Sequence, residues 1–265
     1  MRAFAYHQPN EISEAVKLLT SVEDCKVLGG GMTLIPTLKQ RLAAPAAVVD
    51  LAKLPALKGI SDDGVTVTIG AMTPHAVVAA SPIVQARIPA LAHLASEIGD
   101  PAVRNRGTLG GSVANNDPAA DYPAAVLGLG ATIITSAREI AADRFFVGLF
   151  ETALEPGEII TAIRFPVPVA AGYAKFKAPA SRYALVGVFV ARFADGVRVA
   201  VTGAGAGVFR VAAMEQALSQ SFEPTSIASI KIDAAGLTSD IHAEADYRAH
   251  LVTVMAKRAV TAASR

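Results

Sequence analysis

Two short glycine clusters constrain the fold of this chain more than any other feature. The first is Gly29-Gly30-Gly31-Met32-Thr33, and the second is Thr108-Leu109-Gly110-Gly111-Ser112. A glycine run lets backbone N–H groups approach a ligand because no Cβ stands in the way, and a helix that follows adds the positive end of its dipole. Phosphate is the natural ligand of such a loop, and two loops suit a diphosphate. Taken alone, each cluster is equally consistent with an ordinary tight turn.

The composition favours a globular protein with a substantial core. The chain has 265 residues, of which 52% are hydrophobic, and this length suits two domains or one domain with subdomains. The formal charge of +1 excludes the electrostatic footprint of a nucleic-acid binder. Cys25 is the only cysteine, which excludes an internal disulfide and an iron–sulfur cluster held by this chain alone. We expect no membrane span, no signal peptide and a cytoplasmic location.

The first 55 residues read as a small α/β unit. Asn10 can cap a helix with apolar residues at helical spacing, and residues 26–28 then form a strand that enters the first glycine cluster. Thr33 can cap a second helix, and residues 48–51 supply another strand.

The middle of the chain mixes strands and helices. The step Asp62-Asp63-Gly64 predicts a hairpin turn, and residues 89–98 predict a helix that ends at 99–101. Asp117 and Pro118 predict the start of a helix over residues 118–127. Further strands are predicted at 131–135 and 159–165.

A domain boundary is predicted near residue 170, where Pro- and Gly-rich residues 166–172 suggest a linker. Beyond it, residues 183–193 and 197–202 suit an antiparallel pair, and residues 246–262 an amphipathic helix.

The sequence does not match several familiar functional motifs. The run 203–208 resembles a dinucleotide loop, but Val208 stands where its third glycine belongs. Ser112 lacks the surroundings of a serine nucleophile, and the histidines lack metal-ligand spacing. We therefore assign no catalytic residue and no metal.

Three segments closely resemble one family of flavoproteins. They are residues 28–36, residues 68–73 and, above all, residues 104–121, which include the second glycine cluster. Residues 240–243 and 247–251 resemble the C-terminal domain of the same family. The family is the FAD-binding medium subunit of aerobic carbon monoxide dehydrogenases and related molybdenum hydroxylases, including xanthine dehydrogenase. The resemblance spans almost the whole chain.

This resemblance implies an α+β fold. A PCMH-type (vanillyl-alcohol-oxidase-like) FAD-binding domain would cover residues 1–170, with two α/β subdomains at 1–55 and 56–170. A C-terminal α+β domain of the carbon monoxide dehydrogenase flavoprotein type would cover 171–265. FAD would be held noncovalently between these parts. Lys177 or Lys175 would lie near the flavin and stabilise its reduced anion. The residues implied to bind FAD are Gly29, Gly30, Gly31, Met32, Thr33, Leu34, Thr108, Leu109, Gly110, Gly111, Ser112, Asp117, Asp121, Ile159, Ile160 and Lys177.

The resemblance also implies an oxidoreductase subunit that relays electrons from the iron–sulfur clusters of a partner, through FAD, to an external acceptor. Molybdopterin and the [2Fe–2S] clusters would reside on a molybdopterin large subunit and an iron–sulfur small subunit, in a heterotrimer or a dimer of heterotrimers. One alternative is an assembly subunit without cofactor, which the intact glycine loops disfavour. Another is a self-contained flavin oxidase, which the short segment after residue 170 disfavours.

Overall fold

A computed structural model describes residues 1–264. The strands are β1 (Ala5–His7), β2 (Cys25–Leu28), β3 (Ala47–Asp50), β4 (Ile60–Asp62), β5 (Thr66–Gly70), β6 (Thr132–Thr135), β7 (Glu139–Ala141), β8 (Phe146–Gly148), β9 (Glu151–Thr152), β10 (Ile160–Pro166), β11 (Ala170–Lys177), β12 (Ala184–Phe193), β13 (Gly196–Thr202) and β14 (Phe209–Arg210). The α-helices are α1 (Ile12–Ser21), α2 (Leu34–Lys39), α3 (His75–Ala80), α4 (Pro82–Arg87), α5 (Pro89–Ser96), α6 (Pro101–Arg106), α7 (Leu109–Asn115), α8 (Tyr122–Gly128), α9 (Ala212–Gln220) and α10 (Ala245–Ala263). Within this described part of the chain, every helix is too short or too polar to cross a bilayer.

The N-terminal unit is a three-stranded parallel sheet in the order β1-β3-β2. Its strands confirm the predictions for residues 26–28 and 48–51. The N-cap of α1 is Glu11, not the predicted Asn10. The backbone N–H of Asn10 instead donates a hydrogen bond to the Glu14 carboxylate at 3.0 Å. Because β2 ends at Leu28, the first glycine cluster leaves the sheet at its carboxyl edge, where ligands of parallel sheets usually bind.

The central sheet is antiparallel in the order β4-β5-β10-β6-β7. The predicted Asp-Gly hairpin is confirmed between β4 and β5. The Asp63 carboxylate accepts hydrogen bonds from the amides of Val65 and Thr66 at 2.9 and 2.7 Å, and Gly64 supplies the positive φ of +89°. These bonds fix the turn and therefore the register of the two strands.

A layer of short helices, α3 to α8, packs on the central sheet. The predicted helix over residues 118–127 is wrong at its start, because α8 begins only at Tyr122. The carbonyl groups of Pro118 and Ala120 accept hydrogen bonds from Gly203 and from the Thr202 hydroxyl, at 2.8 and 2.6 Å. Residues 118–120 therefore form a turn tied to the end of β13, and their carbonyls are not free to begin a helix.

The C-terminal sheet has the order β11-β12-β13-β14. One face packs against α9 and α10, whereas the other face joins the central core through Phe189 and Ala200. Because successive strand residues point to opposite faces, β12 is buried on both sides and is apolar along most of its length. The predicted linker also needs correction, since Ala170–Gly172 already belong to β11.

Candidate functional site

The two glycine clusters, almost eighty positions apart in sequence, meet in one cleft. Its volume of about 570 Å³ lies in the range of pockets that hold small molecules and cofactors. The lining residues are Lys26, Val27, Gly29, Gly30, Gly31, Met32, Thr33, Leu34, Thr37, Leu51, Ala71, Met72, His75, Gly107, Thr108, Gly110, Gly111, Ser112, Ala114, Asn115, Phe150, Leu154, Glu158, Ile159 and Ile160. A larger groove of about 670 Å³ lies between the β8–β9 hairpin and the C-terminal sheet, but it contains neither cluster. We therefore regard the smaller cleft as the functional one.

Direct backbone contact joins the two clusters. A Cβ placed on Gly30 would overlap the carbonyl group of Arg106 and lie 2.7 Å from the Cα of Gly107. A Cβ on Gly110 would lie 2.5 Å from that of Ala71. Ordinary contacts of this kind are longer than about 3.4 Å, since carbon atoms repel strongly at shorter range. Gly30 is therefore needed where the first loop packs against the chain just before the second cluster, and Gly110 where the second cluster packs against Ala71, whether or not a ligand is bound.

The two clusters differ in how many of their backbone N–H groups are free to donate hydrogen bonds to a ligand. Within residues 1–264, the amides of residues 30–33 donate to no protein acceptor. In the second cluster, Leu109 donates to Thr73 O, Gly110 to Ala71 O, and Gly111 to the Thr108 hydroxyl oxygen. The first loop can therefore donate several N–H groups to an anion. The second loop contributes mainly shape and the hydroxyl groups of Thr108 and Ser112.

A buried histidine that the sequence did not single out also lines the cleft. His75 is 4% exposed, and its Nδ1 has no hydrogen-bond partner among the described residues. Burial, with a further contribution from the positive charge of Arg104, lowers the pKa of His75 to about 4. His75 is therefore neutral at pH 7. Lys26 also lines the cleft; its side chain is half-exposed, and its ammonium group forms an ion pair with Asp24 at 3.6 Å.

Most of the predicted binding residues line this cleft, and four do not. Leu109 is fully buried in the central core. Asp117 faces its own turn and accepts a hydrogen bond from the Ala119 amide at 2.9 Å. Lys177 is half-exposed and forms an ion pair with Glu97 at 2.9 Å. These three residues lie outside the cleft, and their contact with FAD stays a prediction.

Asp121 is the fourth predicted residue outside the cleft. Its carboxylate accepts a hydrogen bond from the Tyr173 hydroxyl at 2.5 Å and lies 2.9 Å from the Lys175 ammonium group. Burial raises the pKa of Asp121 against the opposing attraction of Lys175. No local sequence signal marks this ion pair, because Asp121 and Lys175 are more than fifty positions apart in the chain and become neighbours only in the folded protein. Neither Lys175 nor Lys177 lines the cleft.

Other cleft residues escaped prediction for similar reasons. Phe150 lies at the tip of the β8–β9 hairpin, Leu154 and Glu158 follow the hairpin, and no local motif marks the three residues. The Glu158 carboxylate accepts hydrogen bonds from Thr135 and Arg138 at 2.6 and 3.1 Å. The hydrogen bonds with Arg138 and Thr135 lower its pKa despite an opposing effect of burial.

Comparisons with known proteins agree with this geometry. Residues 2–168 match the family model described as "FAD binding domain in molybdopterin dehydrogenase". The chain is 36% identical to the carbon monoxide dehydrogenase medium chain of Hydrogenophaga pseudoflava, over 98% of this chain and 96% of the relative. It is also 36% identical to the nicotine 6-hydroxylase medium subunit of Paenarthrobacter nicotinovorans, over 98% of this chain and 97% of that one.

A solved structure extends the likeness to the whole fold. It is a carbon monoxide dehydrogenase from Hydrogenophaga pseudoflava that lacks the Mo-pyranopterin moiety of the molybdenum cofactor. The matched chain superimposes with a TM-score of 0.89 at 36% identity, over 99% of this chain and 98% of that chain.

Proposed function

The chain belongs to the family of FAD-binding subunits of molybdopterin dehydrogenases, and we propose from this premise that it carries electrons between a partner subunit and an external acceptor. It is an oxidoreductase subunit whose cofactor is FAD, the medium subunit of a molybdenum hydroxylase complex similar to carbon monoxide dehydrogenase. When bound, FAD supplies a redox centre that accepts and releases electrons.

The meeting of the two glycine clusters in one cleft is the observation that carries the proposal. The amides of residues 30–33 would hold the diphosphate, because they are unpaired within the described protein and lie at the carboxyl edge of the parallel sheet. The hydroxyl of Ser112 and the positive charge of Lys26 would add to this anion site. Ile159 and Ile160 would flank one of the two ring systems. These residues fit the cofactor in both shape and charge.

The partners follow from what this chain lacks. Iron–sulfur clusters of the [2Fe–2S] type usually need four cysteine ligands, whereas Cys25 is the only cysteine in the sequence. The clusters and the molybdopterin would therefore be held by an iron–sulfur small subunit and a molybdopterin large subunit. A heterotrimer or a dimer of heterotrimers, located in the cytoplasm, remains our prediction. The relatives are named for different substrates, which fits a chain that does not itself bind the substrate.

Two measurements test this proposal. The purified chain should bind FAD with one-to-one stoichiometry, measured by the change in flavin fluorescence during a titration. A chain that binds no FAD under native conditions would contradict the proposal and favour an assembly role. In the complex purified from its native source, adding substrate should bleach the flavin absorbance. Bleaching should require the iron–sulfur partner, and a flavin that the substrate reduces equally well without that partner would refute the electron route.

A further inference from the structure

An exposed aromatic side chain at the tip of the β8–β9 hairpin lines the cleft. Phe150 is 56% exposed and lines the cleft together with Leu154 and Ile159. Its φ of +54° places it in the left-handed region, which non-glycine residues rarely occupy. Such a conformation costs free energy and persists only where the surrounding structure enforces it, often at ligand sites.

The enforcing contact is made by one buried side chain. Asn116 is 1% exposed, and its Nδ2 donates hydrogen bonds to the carbonyl groups of Gly148 and Glu151, both at 2.8 Å. These two carbonyls flank the residues Leu149 and Phe150 at the tip of the hairpin. Because the side-chain amide bridges both ends of the turn, it fixes the direction in which the tip residues point.

Asn116 also links the hairpin to the second glycine cluster. It caps the C-terminal end of α7 with a φ of +43°, whereas Thr108 of the second cluster caps the N-terminal end. A helix of this length is only about 10 Å long. One short rigid element therefore sets the distance between the diphosphate loops and the aromatic ring.

We propose that Phe150 stacks on a planar ring of FAD, and that Asn116 is the positioning residue that presents it. This inference rests on the proposed FAD site. Leu154, Ile159 and Ile160 line the same cleft with aliphatic side chains, so a ring held between them and Phe150 would lose water on both faces. Stacking on an aromatic side chain adds to this apolar burial.

The neighbouring residue provides a matched control. Leu149 is 58% exposed, nearly the same as Phe150, but it lines the larger groove beside the C-terminal sheet and not the cleft. Substituting either residue removes a similar exposed apolar side chain from the same turn. An effect on FAD that is specific to Phe150 therefore cannot come from loosening of the hairpin in general.

The test is FAD binding by four single variants and one double variant of the full chain, measured by fluorescence titration together with the melting temperature. Phe150→Ala should weaken FAD binding about tenfold, as stacking energies predict, whereas Phe150→Trp and Leu149→Ala should bind within about twofold of the wild type. Asn116→Gly keeps the positive φ and should also weaken binding. In the double variant, Phe150→Ala should lower the FAD affinity much less than tenfold relative to Asn116→Gly alone, because Asn116→Gly has already misplaced the ring.

Two probes identify the ring. ADP and riboflavin 5′-phosphate each carry one of the two ring systems, and Phe150→Ala should weaken binding of one of them. If Phe150→Ala binds FAD, ADP and riboflavin 5′-phosphate as the wild type does, stacking is refuted while the proposed FAD site stands. If the wild-type chain binds no FAD, the proposed function fails first. Because Phe150 is exposed, its substitution should leave the melting temperature nearly unchanged, so weakened binding reports the site and not unfolding.

Discussion

Gly30→Ala is the substitution that most sharply tests why the glycine clusters exist. The added methyl group would overlap the Arg106 carbonyl and lie 2.7 Å from the Cα of Gly107, where roughly 3.4 Å or more is needed. Both neighbours are backbone atoms, so no side chain can rotate away. The two loops must instead separate, at a cost typical of overpacking, about 1–3 kcal/mol of folding free energy.

The larger effect of Gly30→Ala should be on the affinity for FAD. A separation of about 1 Å would misalign the amides of residues 30–33 with the diphosphate, and hydrogen bonds to a charged group contribute about 1.5–3 kcal/mol each. Loss of one or two such bonds weakens binding about 10- to 20,000-fold. Gly207→Ala is the matched control, because a Cβ there meets nothing within 4 Å. Flavin fluorescence titration measures the loss of FAD affinity, and urea unfolding measures the loss of folding free energy. Wild-type affinity in Gly30→Ala would refute the argument that loop contact builds the site.

Two further predictions concern charged groups away from the cleft. Lys175→Met should destabilise the fold by about 3–5 kcal/mol in urea unfolding, since it leaves the Asp121 carboxylate buried without its ion pair, whereas the half-exposed Lys177→Met should cost about 1 kcal/mol or less. Equal losses in the two variants would contradict the burial of the first pair. Hydrogen bonds from the Thr66 and Val65 amides hold the pKa of Asp63 at about 2, below its unfolded value near 4. The stability advantage of the wild type over Asp63→Asn should therefore be full above pH 4 and shrink as the pH falls towards 2, and a difference that grows on acidification would contradict this sign.

Local sequence signals correctly predicted the turns, strands and helices that depend mainly on neighbouring residues. The Asp-Gly turn at Gly64 and the strand that enters the first glycine cluster were both predicted correctly, because each depends on residues within a few positions. The long C-terminal helix was also predicted within one residue at each end, since its apolar spacing covers many turns. The family resemblance added the cofactor and the pairing of the two clusters.

Contacts between distant segments account for the errors. The start of α8 was misplaced because Gly203 and Thr202 occupy the carbonyls that a longer helix would need. The buried ion pair of Asp121 was missed because its partner Lys175 lies on a strand far along the chain, while a contact of Asp121 with the cofactor stays a prediction. The second cluster was expected to donate amides, yet the Ala71 and Thr73 carbonyls already accept two of them. Such pairings become visible only when the whole fold is assembled.

A crystal structure of the chain with FAD bound would show whether the two glycine clusters hold the diphosphate. The diphosphate oxygens should lie within about 2.7–3.2 Å of the amide nitrogens of residues 30–33, with the hydroxyl of Ser112 facing the same group. A diphosphate that contacts neither glycine cluster would contradict this prediction.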